Sequence, residues 1–265
     1  MATQSPYSGD RRARVLATRH SPAEVTAKSR VIYDAVLAES KAIVAGNFTV
    51  IGVAELRLLF QLYDRHFFDG LLDRSIREDV ASLAFRLSNR MTSSGGTTER
   101  LRPRSGRSPR DSYTITVSTF LLFQSFSIDG RKVYVGGLEC KDRLEALQRI
   151  FEHELLHLTE FLAWGESSCA RDNFQNLSRH IFAHAGVKHE LITPREVAAS
   201  AFDIRVGDRV AFEFEGVPKA GIVNRITKRA TILVKDPKGR LFSDGVTYST
   251  FYVPISLLRK ERAGS

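Results

Sequence analysis

Apolar residues recur at helical spacing through "VAELRLLFQLYDRHFF", where Leu56, Leu59, Phe60, Tyr63 and Phe67 fall on one face and predict a helix that "DGLL" ends. A helix is also predicted from "SPAE", Ser21 to Glu24, into the forties, because a Ser cap, an early proline and a glutamate three residues on form a capping box. The period then changes to two in "SLAFRLSNRMT" and "SYTITVSTFLLF", which read as two strands. "DRLEALQRIFEHELLHLTEFLAWG" returns to helical spacing, opening on a capping box at Asp142 and Glu145 and closing on Gly165, about six turns later. A further helix is expected over roughly 170–184, with Phe174, Leu177 and Ile181 on one face and Gly186 after its end. Beyond "LITPREVAAS", the segments "DRVAFEFEG", "KAGIVNRI", "RATILVKD" and "FYVPISLL" alternate again and predict a small barrel of SH3-like spacing.

These elements give an α+β chain in parts: a polar, Arg-rich flexible arm over 1–20, a main domain over 21–195, a linker over 196–203 and a small all-β barrel over 204–260. Within the main domain, 93–111 ("SSGGTTERLRPRSGRSPRD") is too rich in Arg, Gly and Pro to bury a core and reads as a mobile basic loop. The formal charge of +9 points to a polyanionic partner, DNA above all, more readily than to a small acidic molecule. Arg102, Arg104 and Arg107 in the loop and Arg225, Lys228 and Arg229 in the barrel are the candidate nucleic-acid contacts. Phe212, Phe214, Tyr248, Phe251 and Tyr252 are available for the barrel core or for stacking. Cys140 and Cys169 make no disulfide framework, and neither a secretory h-region nor a membrane-spanning apolar run is visible. A soluble cytoplasmic protein, nucleoid-associated in a bacterium, is the expectation.

The chemistry concentrates in "RIFEHELLHLTEFLAWG". Positions i and i+4 of a helix share a face, so His153 and His157 can hold one Zn²⁺ through neutral imidazole nitrogens. Glu154 then stands where it can act as general base on a zinc-bound water. Glu160, one turn beyond His157, could accept an imidazole N–H. Phe161 and Trp164 fall near the histidine face, for core packing or for a substrate pocket, while His180 and His189 read as surface residues.

"LYDRHFFDGLL", "FRLSNRMTSSGGTT", "TITVSTFLLF" and "EALQRIFEHELLHLTEF", in this order, resemble the SprT-like domain, the zincin-like zinc-peptidase domain of the Spartan proteases that degrade proteins crosslinked to DNA. The resemblance covers about Val53 to Leu191, and its most specific marker is the Arg90-Met91-Thr92 turn followed by Gly95 and Gly96. It implies that His153 and His157 are zinc ligands, Glu154 the catalytic base, and DNA-bound protein the substrate. The family's third histidine stands four residues before an aromatic; here the aromatic is Phe174 and the position is Ala170, which ligates nothing. Cys169, at the expected helix N-terminus, is the first candidate for the third ligand and His184 the second. An adaptor that binds zinc and DNA without proteolysis is the reading from another class, and a Mg²⁺-dependent hydrolase is disfavoured by the lack of an acidic cluster beside the histidines.

Overall fold

The computed structural model describes residues 8–102, 110–126, 131–186, 188 and 190–261, and the chain divides into two compact units, 1–191 and 192–265. In the first, helices α1 (Ser8–Ala17), α2 (Pro22–Glu39), α3 (Val53–Phe68) and α4 (Leu71–Glu78) precede strands β1 (Ser82–Ser88), β2 (Gly96–Leu101) and β3 (Ser112–Ser118). Then come α5 (Thr119–Ser125), the hairpin β4 (Val133–Val135) and β5 (Leu138–Cys140), and helices α6 (Arg143–Trp164) and α7 (Asp172–Phe182). The sheet order is β1-β3-β2, with β1 parallel and β2 antiparallel to β3, so β2 is an edge strand. None of the helices among the described residues is long and apolar enough to cross a membrane.

The capped helices form where the sequence places them. Ser21 and Glu24 exchange both bonds of a capping box at the start of α2. At α6 the Asp142 side chain accepts from Glu145 N–H, but the Glu145 carboxylate turns to Lys141 N–H, so only half of the expected box exists. Gly165 ends α6 in the left-handed conformation. Leu144, Leu147, Phe151, Leu155 and Leu158 on α6 are fully buried, with Tyr63, Phe67, Phe174 and Phe182 around them.

Four expectations need correction. Residues 8–17 of the flexible arm are helix α1, held because Val15 is 1% exposed and Arg11 3%. Arg11 Nη1 lies 2.7 Å from Asp79 Oδ2 and 2.9 Å from the Leu162 carbonyl, partners too distant in sequence for any local pattern to reveal. Within the basic loop, 96–101 form β2, recruited by six registered pairs with β3, while 103–109, with Arg104 and Arg107, lie outside the described residues. "TFLLF" is helical, because the Ser118 hydroxyl accepts from Leu121 N–H and starts α5. Most of the linker, 196–202, is part of α8 (Pro194–Phe202), which a Thr193–Glu196 capping box opens and whose Ala198 is buried in the core of the second unit.

That second unit continues as β6 (Arg209–Phe214), β7 (Val217–Ile226), β8 (Ala230–Leu241) and β9 (Thr247–Val253), followed by β10 (Arg259–Lys260), in the order β10-β6-β7-β8-β9. All its pairs are antiparallel. Val210, Val223, Ile232 and Val253 line its core.

Arg11→Ala leaves the Leu162 carbonyl and the Asp79 carboxylate short of their donor. It should lower the unfolding free energy by about 1–3 kcal/mol in urea titrations. An unchanged midpoint would show that α1 docks independently of Arg11.

Candidate metal centre

Enclosure on most sides of α6 makes every polar side chain it carries dependent on a partner. On the face toward β2, His153 and His157 approach to 3.1 Å between their Nε2 atoms, and both rings lie tilted against Phe174, with centroids 4.8 and 4.6 Å away. Phe174 of α7 is thus a shared wall for the pair. Cys169 joins them: one ligand atom from each of His153, His157 and Cys169 lies within 4.8 Å of the others, the arrangement of a three-donor metal site. The thiol comes from the turn before α7, two residues ahead of the Arg171 N-cap, because the helix starts at Asp172 rather than near Ala170 as the sequence suggested.

His157 has its tautomer set by its neighbours. Its Nδ1 lies 2.7 Å from Ser167 Oγ, and Ser167 Oγ lies 2.6 Å from Glu160 Oε2. Glu160 also accepts from Ser168 N–H and from the Asn173 side-chain amide. The single Ser167 proton therefore goes to Glu160, and Ser167 accepts from His157 Nδ1–H, which leaves the Nε2 lone pair facing the cleft. Burial pushes His157 down to about 4, so the neutral, ligating imidazole is the form present at neutral pH. Glu160 does support the histidine, through a serine rather than directly.

Glu154 is 3% exposed and has Thr98 Oγ1 2.7 Å from Oε2 and 2.9 Å from its carbonyl. Burial pushes its carboxyl up to about 8, only partly opposed by the Thr98 hydroxyl. A dication beside it would pull that value down again. Close passage of β2 requires Gly96: a Cβ there would meet Glu154 Cγ and Oε1 at 2.7 Å.

The cleft above these groups has a volume of about 330 Å³. One wall is Ser94 to Thr98 at the start of β2; the other is Val135, Gly136 and Lys188, with Ile150 and Phe161 as apolar lining. Of the aromatics named from the sequence, Phe161 faces this space and Trp164 packs against the core.

His184, the second candidate ligand, is not in the metal group. Its Nε2 lies 2.7 Å from Glu152 Oε2, on the rear of α6, with Tyr63 Oη and Arg149 Nη1 at 2.8 Å from Glu152 Oε1. Burial would raise Glu152, but Arg149 and His184 together hold it below the ordinary carboxylate range. Thr98, Ser167 and Asn173 are common residue types with no sequence signature, and only β2, the turn that follows α6, and helix α7 bring them beside α6.

Among the candidate basic contacts, Arg102 donates to the Gly165 carbonyl at 2.8 Å and so helps close α6. Arg225, Lys228 and Arg229 are exposed at the β7–β8 end of the second unit, where Arg225 and Tyr252 flank Thr231 in register.

Gly96→Ala should displace the Glu154 carboxylate from Thr98 and lower stability by about 1–3 kcal/mol, as overpacking does. A melting temperature equal to that of the parent would show that the carboxylate yields freely. In comparisons with known proteins, no family model matches the chain, no curated protein matches it and no solved structure matches it.

Proposed function

We propose that the chain is a zinc-dependent peptidase of zincin-like, SprT-like type, acting on proteins associated with DNA, and that its second unit is an SH3-like nucleic-acid or partner module. The observation that carries this reading is the convergence of His153, His157 and Cys169 beside a buried glutamate at one cleft. Two imidazoles and a thiol suit Zn²⁺, and the Ser167–Glu160 relay behind His157 is the kind of support that ligating histidines need. Bound there, zinc would supply Lewis-acid polarisation of a carbonyl and acidify water.

The remaining work falls to the chain. Glu154 takes a proton from the attacking water on Oε1, the oxygen not held by Thr98, and returns it to the leaving amine. Thr98 fixes the carboxylate plane. The edge of β2 offers an extended peptide a strand to pair with, across from the Val135–Gly136 wall. Gly96, Thr97 and Thr98, the β2 residues that line the cleft, are small and leave room for varied side chains, so selectivity comes from where the enzyme is held rather than from a deep pocket. The charge of +9 and the exposed Arg225, Lys228 and Arg229 support DNA as that anchor.

Glu154→Gln should keep its zinc and lose about 10²–10⁴-fold in cleavage of a DNA-binding protein. Cys169→Ser should lower bound zinc per chain, measured by atomic absorption, while His184→Ala should keep it. Full zinc in Cys169→Ser would remove Cys169 from the ligand set. Zinc-loaded parent and Glu154→Gln that are equally inert would favour the non-catalytic adaptor.

A further inference from the structure

The described arginines that are buried or half-buried at the heart of the first unit mostly have carboxylate partners: Arg11 has Asp79, Arg100 has Asp111 and Arg149 has Glu152. At one exposed corner of the unit, arginines gather with no carboxylate in hydrogen-bond reach among the described residues. Where the end of α1 and the turn into α2 meet the α3–α4 junction, a pocket of about 330 Å³ is lined by Arg14, Arg19 and Arg74, with Asp69 as the one carboxylate among its lining residues.

Their hydrogen-bond partners are not carboxylates. Arg19 Nη1 lies 3.2 Å from His180 Nε2, and Arg74 Nη2 donates to the Asp69 carbonyl at 3.4 Å. Arg14 is exposed, and its guanidinium has neither a hydrogen bond nor an ion pair among the described residues. Lys28, next to the pocket, repeats the pattern. Its ammonium lies 3.1 Å from His20 Nδ1, while His20 Nε2 donates to the Phe67 carbonyl at 3.1 Å and so leaves Nδ1 as the acceptor. Arginine and lysine charges are thus gathered at one place with imidazole nitrogens and a carbonyl as their hydrogen-bond partners, while Asp64 and Glu24 act on Arg74 and Lys28 only at longer range.

We infer that this corner is a binding site for phosphate groups. Guanidinium forks match phosphate oxygens two at a time, and three of them around one concavity supply more donors than a single carboxylate can occupy. The floor is made by Phe67 and Phe68, which are 1% and 3% exposed, so they offer no free ring face for a base to stack on. Recognition is therefore of the phosphate and not of sequence. The donors come from 14–20 and from 67–74, which is why no single window of the sequence shows the site. A nucleic-acid backbone and a free polyphosphate carry the same chemistry. The site lies in the first unit, apart from the basic residues of the second, and depends neither on zinc nor on peptide cleavage.

The test uses the full chain, a short fluorescent oligonucleotide in single- and double-stranded form, and sodium tripolyphosphate, followed by anisotropy and competition across a salt series. The triple variant Arg14→Glu/Arg19→Glu/Arg74→Glu should weaken oligonucleotide binding by roughly tenfold or more at about 0.1 M salt and reduce the log–log salt slope by about 2–3. Arg14→Ala alone, at an exposed side chain, should reduce the slope by about 1. Arg225→Glu/Arg229→Glu should leave tripolyphosphate binding at the parent level. Oligonucleotide binding lost in the triple variant assigns a nucleic-acid backbone to the site; tripolyphosphate binding lost there, with no oligonucleotide binding by the parent, assigns a free polyphosphate. Unaltered affinity and slope in both the triple variant and Arg14→Ala overturn the inference, as does a parent that binds neither probe. Zinc content and melting temperature equal to the parent's show that the variants fold and separate this outcome from failure of the peptidase reading.

Discussion

The first unit depends on the enclosure of α6. A helix buried on most sides cannot leave its polar side chains to water, so each must meet a partner from another element. Gln148 reaches the Ser29 carbonyl of α2, Glu152 is met by Tyr63 of α3, Glu154 by Thr98 of β2 and Glu160 by Asn173 of α7. The end of the helix obeys the same rule. Its last carbonyls are taken up by arginines: Arg11 at Leu162, Arg12 at Ala163, and Arg100 with Arg102 at Gly165. Positive charge at a helix C-terminus is favoured by the backbone dipole, which adds to the hydrogen bonds.

Two glutamates two residues apart on α6 show how one helix places carboxylates in opposite electrostatic settings. Glu152 faces Arg149 and His184 and is held as an ionised acceptor. Glu154 faces β2, where Thr98 is its hydrogen-bonding neighbour and no cation contributes, so burial raises it to about 8. A carboxylate already neutralised by an arginine makes a poor base, whereas one held by a hydroxyl in a dry cleft is free to respond to a metal or to a substrate. The alternation follows from a helical period that turns successive side chains about 100° apart, onto different neighbours.

What was legible in the sequence is what local physics decides. Ser21, Asp142, Gly165 and the apolar stripes of α3 and α6 mark local boundaries, whereas α2 stops at Glu39, short of the forties its cap alone suggested; the His153–Glu154–His157 spacing needs nothing beyond the helix to bring those groups together. The elements that escaped are decided by distant contacts. β2 has the composition of a loop and becomes a strand because β3 accepts it in register; α1 has no apolar period and becomes a docked helix because Arg11 finds Asp79 and Leu162. The third donor follows the same logic. Cys169 adjoins the histidines through the path of the turn from Gly165 to Arg171, which residue spacing alone left open between Cys169 and His184.

His184 still bears on the cleft, by another route. The β4–β5 turn runs through Gly136 and Gly137, both in the left-handed region, and a Cβ on Gly136 would meet His184 Nδ1 at 2.8 Å. Gly186 N–H donates to the Gly136 carbonyl, Gly136 N–H to the Lys188 carbonyl, and Glu190 N–H to that of Tyr134. Val135, Gly136 and Lys188 form the wall opposite β2, so that wall rests on His184, His184 rests on Glu152, and Glu152 belongs to the same helix as the two metal-facing histidines. The distance across the cleft is thereby set by α6 from both of its faces: Thr98 fixes the β2 side through Glu154, and Glu152 fixes the other through His184. A histidine outside the His153–His157–Cys169 group can therefore govern the width of the cleft, because the rear of the helix and the front of the cleft are parts of one packed frame.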